Sequence, residues 1–272
     1  MANPRIAFIG AGNIARAIIG GLIESGFEPA SIIAVDPAED QRSRLPAGVI
    51  AASDAAGMLD DVAAVMLCVK PGLIGTVVSS MAAELAGKLV ISVAAGIPIE
   101  TIRAPLPDDT AVVRCMPNTP ALIRAGMTGL YASPEVDADQ RALAEQIMRA
   151  AGDVVWLENE SEIDIVTAIS GSGPAYYFLV MEAMEAAGER LGFSAEASRR
   201  LVLQTALGAA QMAAASSEDP ATLRQNVTSP GGTTEAAIKT LIERGLTDAF
   251  EAAMKAARDR SIELGAKSDQ AL

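Results

Sequence analysis

The apolar pattern of this chain changes once, near Ser161, and that change constrains the fold more than any other feature. Through residue 160, short apolar runs alternate with helical segments. The runs occupy residues 5–9, 31–35, 62–69 (VAAVMLCV), 88–93, 111–114, 129–132 and 154–157. Runs of about four to eight apolar residues bounded by Gly, Pro or Asp read as strands buried on both faces. The helical segments between them then act as crossovers of a mainly parallel sheet. Residues 13–25 give the first of these helices. Residues 135–151 give another, with Pro134 before it, acids in its first turn and Gly152 after it. Beyond Glu160 no strand-like alternation returns. Residues 163–191, 194–215, 220–226, 234–244 and 247–264 read as helices, and Ser194, Asp219-Pro220 and Gly231-Gly232-Thr233 stand at helix starts. The expected division is an α/β domain over residues 1–160 and an all-α domain over residues 161–272.

The helical part is rich in small residues, as in AMEAAGERLG and TALGAAQMAAA. A helix that is apolar nearly all round must be buried. This stretch has little surface in which to hide all of it, so an interface of two interlocking tails is expected, with an ordinary intrachain core as the alternative. Aromatics are only 3% of the chain, so its core must be built from Ala, Val, Ile, Leu and Met. The net charge of −13 argues against a nucleic-acid partner and against anionic membrane surfaces. An anionic small molecule can still be held by local backbone N–H groups. No apolar run reaches the roughly 18 residues of a membrane span. The start MANPRIAFIGAG has one basic residue before its strand and does not read as a signal peptide. The residues after Leu264 (GAKSDQAL) are expected to fray.

Two cysteines, Cys68 and Cys115, lie in apolar runs and read as buried thiols of a reducing compartment. With no histidine and two cysteines, no zinc site is expected. The usual Ser-His-Asp and Cys-His nucleophiles are excluded as well. Hydride transfer fits such a chain better, because a cofactor carries the hard step.

Gly10-Ala11-Gly12-Asn13-Ile14-Ala15 follows the first strand and opens the first helix, a G-x-G-x-x-A turn. The first glycine makes the turn, the second lets the backbone reach a pyrophosphate, and Ala15 lets the helix pack on the strand. The helix start then offers N–H groups to phosphate. Asp36 ends the second strand, where an acid commonly accepts the ribose 2′-OH of NAD and repels a 2′-phosphate. Arg42 and Arg44 lie just downstream and could hold that phosphate; Asp36-Pro37 could also simply start a helix. Val69-Lys70-Pro71 and Ala94-Ala95-Gly96 end two further strands on the side where ligands of open parallel sheets sit. A solvated lysine is the plain alternative for Lys70.

In order, the chain reads FIGAGNIARAIIGGL, CVKP, SVAAGI, RCMPNTPALIRAG, SGSGPAY and LRQNVTSPGGTTEAAI. In that order and spacing it resembles the pyrroline-5-carboxylate reductases, from about residue 5 to residue 264. The resemblance implies an α/β, Rossmann-like NAD(P)-binding N-terminal domain followed by an all-α C-terminal dimerisation domain. It implies reduction of Δ1-pyrroline-5-carboxylate to L-proline with NADPH or NADH, in the cytoplasm for bacterial members. It also implies a homodimer, commonly assembled as a ring of five dimers (a homodecamer), with the partner subunit contributing to each active site. Cofactor contacts carry over to Ile9, Gly10, Ala11, Gly12, Asn13, Ile14, Val69, Lys70, Pro71, Ala94, Ala95, Gly96 and Asn118. Substrate contacts carry over to Glu160, Asn226, Ser229, Thr233 and Thr234. Asp36-Pro37 departs from the family, because small polar or basic residues often hold the 2′-phosphate there.

The chemistry suits these residues. Ser229-Pro230-Gly231-Gly232-Thr233-Thr234 can receive a carboxylate, with Gly231 and Gly232 allowing close backbone approach and the following helix start supplying N–H groups. Thr234 is the expected catalytic residue, bonding the ring nitrogen and orienting the substrate; plain helix capping is the alternative for Thr233 and Thr234. A β-hydroxyacid-dehydrogenase-like enzyme would need a lysine in the helical part, where Lys239 is the single one between Gly152 and Arg244. A non-catalytic NAD(P)-binding regulatory protein is the remaining alternative.

Overall fold

The structure, a computed structural model, describes residues 3–268. Met1 and Ala2, at the start read for a signal peptide, and residues 269–272, within the tail expected to fray, lie outside the described residues. One eight-stranded sheet organises the first part of the chain. Its strands are β1 (Arg5–Ile9), β2 (Ile32–Val35), β3 (Ile50–Ala52), β4 (Val62–Leu67), β5 (Leu89–Ser92), β6 (Val112–Met116), β7 (Gly126–Ala132) and β8 (Gly152–Trp156). Their order across the sheet is β3-β2-β1-β4-β5-β6-β7-β8. All pairings are parallel except β6 with β7. The carboxyl ends of β2, β1, β4 and β5 therefore share one edge, and the strand order turns back between β1 and β4.

The helices of this part are α1 (Asn13–Glu24), α2 (Glu39–Arg42), α3 (Ile74–Ser80), α4 (Ala82–Leu85), α5 (Ile99–Arg103), α6 (Ala138–Arg149) and α7 (Glu162–Val166). They cover both faces of the sheet, which explains the continuous apolar runs. Along β1, Ile6 and Phe8 face one core with Ile18, Leu22 and Ile147 from α1 and α6. Ala7 and Ile9 face the other with Ile74, Val78 and Ile102 from α3 and α5. Ile6, Phe8, Ile18 and Leu22 are wholly buried, each stabilising the fold by about 1.5–3 kcal/mol.

Four local expectations are corrected. β3 is an additional strand: Ile50-Ala51-Ala52 is a three-residue edge with no fully buried residue, too short and too small to read as an apolar run. The helix expected over residues 135–151 is shorter, because Asp137 caps it in a reciprocal box with Gln140 and so sets its start. The helix expected over residues 163–191 is interrupted: a π-type turn, Thr167–Gly171, separates α7 from α8 (Gly173–Arg190). The helix expected to end at Leu264 runs on, as α12 (Leu246–Ser268), because Gly265 packs on Gly96.

Two compact units emerge. One takes the chain as far as Ser172 and takes it up again from Ala256; the other is Gly173–Lys255. The second holds α8, α9 (Ala195–Ala215), α10 (Pro220–Asn226), α11 (Thr233–Glu243) and the first part of α12. Helices α8 and α9 meet at Gly188, where a Cβ would stand 2.7 Å from Ser198 Oγ. Tyr176 and Phe250 meet edge to face, 6.5 Å between ring centres. Much of its apolar surface stays uncovered: Tyr177 is 70% exposed, Phe178 64% and Leu191 85%. A single chain leaves these large side chains in water, as self-associating surfaces do. Among the described residues no helix is long and apolar enough to cross a membrane.

Candidate active site

The glycine turn is built by close contact between strand ends. Gly10 has φ +99°, and its N–H donates to the Val35 carbonyl at 2.7 Å. A Cβ at position 10 would stand 2.6 Å from the Cys68 carbonyl oxygen, so only glycine lets the end of β1 lie against the chain leaving β4. Gly12 caps α1 in extended conformation, and no side chain bonds the helix start. A Cβ at Gly12 would meet nothing within 4 Å. Open space thus lies before the unpaired N–H groups of the first helical turn, which is what a pyrophosphate requires. Ala15 is fully buried beneath the turn. These residues fit a bound dinucleotide.

Asp36 directly follows β2. Its Oδ2 accepts the Ala11 N–H and its Oδ1 the Ala38 N–H, each at 2.9 Å. The Arg42 guanidinium donates to the carbonyls of Asp36 and Pro37 at 2.6 and 2.8 Å. Arg44 lies 3.9 Å from Asp40.

Two more turns end neighbouring strands of the same edge. Lys70 and Pro71 are exposed beyond β4, with Val69 half-buried beside them. Beyond β5, Ala94 is buried, Ala95 exposed and Gly96 buried with φ +74°. The structure therefore brings the three expected cofactor turns to adjacent carboxyl ends, β1, β4 and β5. Asn118 is fixed by two bonds: its Oδ1 accepts the Met127 N–H at 2.9 Å, and its Nδ2 donates to the Ser170 carbonyl at 3.0 Å. It ties β7 to the π-type turn.

Glu160 is anchored. Its Oε1 accepts the Ile99 N–H at 2.8 Å and the Arg114 guanidinium at 2.9 Å. The Arg114 side chain is 7% exposed and that of Glu160 28%. Sequence reading passed over Arg114; a lone charge inside the run AVVRCM was its signal, because a buried arginine needs a partner. It also passed over Gly265. A Cβ there would stand 3.2 Å from the Gly96 carbonyl, so the end of α12 backs the Ala94-Ala95-Gly96 turn. Ser261 fastens that helix by donating to Asp164 Oδ1 at 2.6 Å.

The expected substrate loop lies in the helical unit. Asn226, at the end of α10, donates to Glu218 at 3.0 Å and is exposed, as is Ser229. Gly231, φ +68°, donates its N–H to Glu235 Oε2 at 2.7 Å. Gly232 donates to the Ser229 carbonyl at 3.0 Å and caps α11 with no side-chain bond. Thr233 and Thr234 open that helix, exposed and half-buried respectively. Neither threonine bonds the helix start as a cap, and the N–H groups of its first turn stay available. Lys239, which the hydroxyacid alternative would need as an acid-base, is 73% exposed and 3.9 Å from Glu243.

Comparison with known proteins agrees along the whole chain. Residues 160–264 match the family model for pyrroline-5-carboxylate reductase dimerisation, and residues 5–96 that for NADP oxidoreductase, coenzyme F420-dependent. A pyrroline-5-carboxylate reductase of Pseudomonas aeruginosa is 50% identical, with 99% of this chain and 100% of that protein aligned. The reductase of Vibrio alginolyticus is 43% identical over 97% and 98%. A solved pyrroline-5-carboxylate reductase of Coxiella burnetii has TM-score 0.92 and 44% identity, covering 96% of this chain and 98% of that one. The pyrroline carboxylate reductase of Plasmodium falciparum, solved with NADP bound, has TM-score 0.85 and 27% identity, covering 97% and 99%. With full-length relatives at this identity, and with the glycine turn and the dimerisation region each matched, the chain belongs to the pyrroline-5-carboxylate reductase family.

Proposed function

We infer that this chain reduces Δ1-pyrroline-5-carboxylate to L-proline, using NADPH or NADH. The observation that carries the reading is the start of α11, where two glycines lead into two threonines at a helix N-terminus whose cap residue, Gly232, makes no side-chain bond. We assign the dinucleotide to residues 1–160, and substrate binding and self-association to residues 161–272. The family match that starts at residue 160 supports this division, although the first compact unit continues to Ser172.

Ile9, Gly10, Ala11, Gly12, Asn13 and Ile14 would hold the pyrophosphate, Asp36 the adenosine ribose, and Val69, Lys70, Pro71, Ala94, Ala95, Gly96 and Asn118 the nicotinamide half. When bound, the reduced nicotinamide supplies the hydride to the imine carbon. The chain's own work is to bind and orient. Ser229 and the N–H groups of Thr233 and Thr234 receive the substrate carboxylate, and Gly232 lets the backbone come close to it. Asn226 borders it. Thr234 Oγ1 bonds the ring nitrogen and holds the ring for attack; a threonine hydroxyl has no useful acidity, so orientation is its main part. We assign Glu160, kept still by Arg114 and the Ile99 N–H, to substrate binding as well.

The exposed apolar faces of α8 and α9 support the dimer, and we extend this to five dimers in a decamer, with the partner subunit completing each active site. Two unpaired cysteines support a reducing compartment, the cytoplasm. Thr234→Val tests the substrate end. Turnover of the imine should fall about tenfold or more, the value of one lost hydrogen bond to a charged group, while the dinucleotide dissociation constant stays unchanged. Unchanged turnover would remove Thr234 from the mechanism.

A further inference from the structure

We propose that Asp36 makes this enzyme select NADH over NADPH. The inference rests on the reading of the glycine turn as the dinucleotide cradle. Strand β2 lies directly beside β1, with Val35 opposite Ile9, so Asp36 comes off the sheet next to the turn. It is locked there from three directions. Its backbone N–H donates to the Ala52 carbonyl at 3.0 Å, and its two carboxylate oxygens accept the Ala11 and Ala38 N–H groups at 2.9 Å each. One of those donors belongs to the glycine turn itself. The charge is thus fixed to the cradle rather than swinging freely on the surface.

An ionised carboxylate has room for about four hydrogen bonds. Asp36 spends two on the backbone and keeps capacity for the ribose hydroxyls of NADH. A 2′-phosphate would bring a second anion to a carboxylate that cannot turn away. Opposing charge is close by and partly engaged. Arg42 donates to the carbonyls of Asp36 and Pro37. Arg16 donates to the Ala11 carbonyl at 2.8 Å and to Gln41 Oε1 at 2.7 Å. Arg44 faces Asp40. Helix α2, which follows, opens with Glu39 and Asp40 and adds two further negative charges. Arg42 commits only its Nη1 to those carbonyls and Arg44 is exposed, but an arginine that received a phosphate would do so with the fixed Asp36 carboxylate still standing against that phosphate.

The test is a binding titration of the full chain with each reduced dinucleotide, without substrate, read by protein fluorescence or calorimetry. NADH should bind about tenfold more tightly than NADPH or better, since close like charges cost several kcal/mol. Asp36→Asn keeps an oxygen to accept one backbone N–H but removes the charge; Asp36→Ser shortens the side chain as well. Both should bring the ratio of the two dissociation constants at least about tenfold toward NADPH. Thermal melting checks that each variant folds, and the wild-type ratio alone already bears on the claim. Equal or tighter NADPH binding by the wild type, or an unchanged ratio in both variants, would overturn it. Binding of neither dinucleotide would overturn the cradle and this inference together. Selective NADH binding without turnover of the imine would instead strike at the assigned reaction and leave the role of Asp36 standing.

Discussion

A side chain at position 10 has nowhere to go, because the Cys68 carbonyl occupies the space a Cβ would need. That contact also carries the chain of Cys68 over the turn, and it helps to account for the state of the thiols. Burial pushes the Cys68 thiol up to about 12, and burial pushes Cys115 up further, with Cys68 adding to the effect. Groups whose pKa rises on folding stabilise the fold fully below their unfolded value, near 8.5, and less as pH climbs past it. At pH 8 neither thiol should react measurably with iodoacetamide in the native protein, while both should react after denaturation. Rapid alkylation of either one in the native state would show a thiolate that this packing does not permit. At this scale the sequence was informative about residue type and less so about employment. The glycine turn and the threonine pair were legible because their chemistry is local. The bonds of Asn118 to Met127 and Ser170, and of Glu160 to Arg114, join residues far apart in the chain, and no local pattern announces them.

Helix α1 shows the same limit at the scale of an element. Its two adjacent glycines look alike in sequence. Yet a Cβ at Gly20 would meet nothing within 4 Å, whereas one at Gly21 would stand 1.8 Å from the Ala150 carbonyl. Gly20→Ala should therefore stabilise the protein by about 0.5–1 kcal/mol through helix propensity. Gly21→Ala should destabilise it by about 1–3 kcal/mol, because the chain after α6 must move away. Urea midpoints of the two variants measure this, and equal shifts of the same sign would contradict the close approach of α1 to that chain. The major strands and helices were legible because both sheet faces are covered and apolar runs stay continuous. The elements missed share a different origin. β3 is held by its neighbour β2 rather than by its own apolarity, and the end of α12 is held by Gly96.

Across the whole molecule, charge and histidine content set the response to pH. Several carboxylates titrate below their ordinary range. Asp61 is lowered chiefly by its bond from Arg5, Glu135 by Ser133 and then Arg103, Glu145 by the Trp156 indole N–H and then Arg149, and Asp153 by the Val154 N–H. Groups depressed on folding stabilise the protein above their unfolded pKa, about 4, and lose that contribution as pH falls through the folded value. With no histidine in the chain, the denaturation midpoint should be flat between about pH 5.5 and 7 and fall below about pH 4.5. A step inside the flat range would point to a titrating group outside this account.

The central claim is that the chain holds a reduced nicotinamide dinucleotide at its glycine turn and uses it to reduce a small cyclic imine acid. The most direct measurement follows the oxidation of NADH and NADPH by the purified chain, offering Δ1-pyrroline-5-carboxylate and a panel of oxidised hydroxy acids in parallel, with proline assayed as product. The account predicts oxidation with the imine alone and one proline formed for each reduced dinucleotide consumed. Oxidation driven by one of the oxidised hydroxy acids, or tight dinucleotide binding with no turnover of the imine, would contradict it.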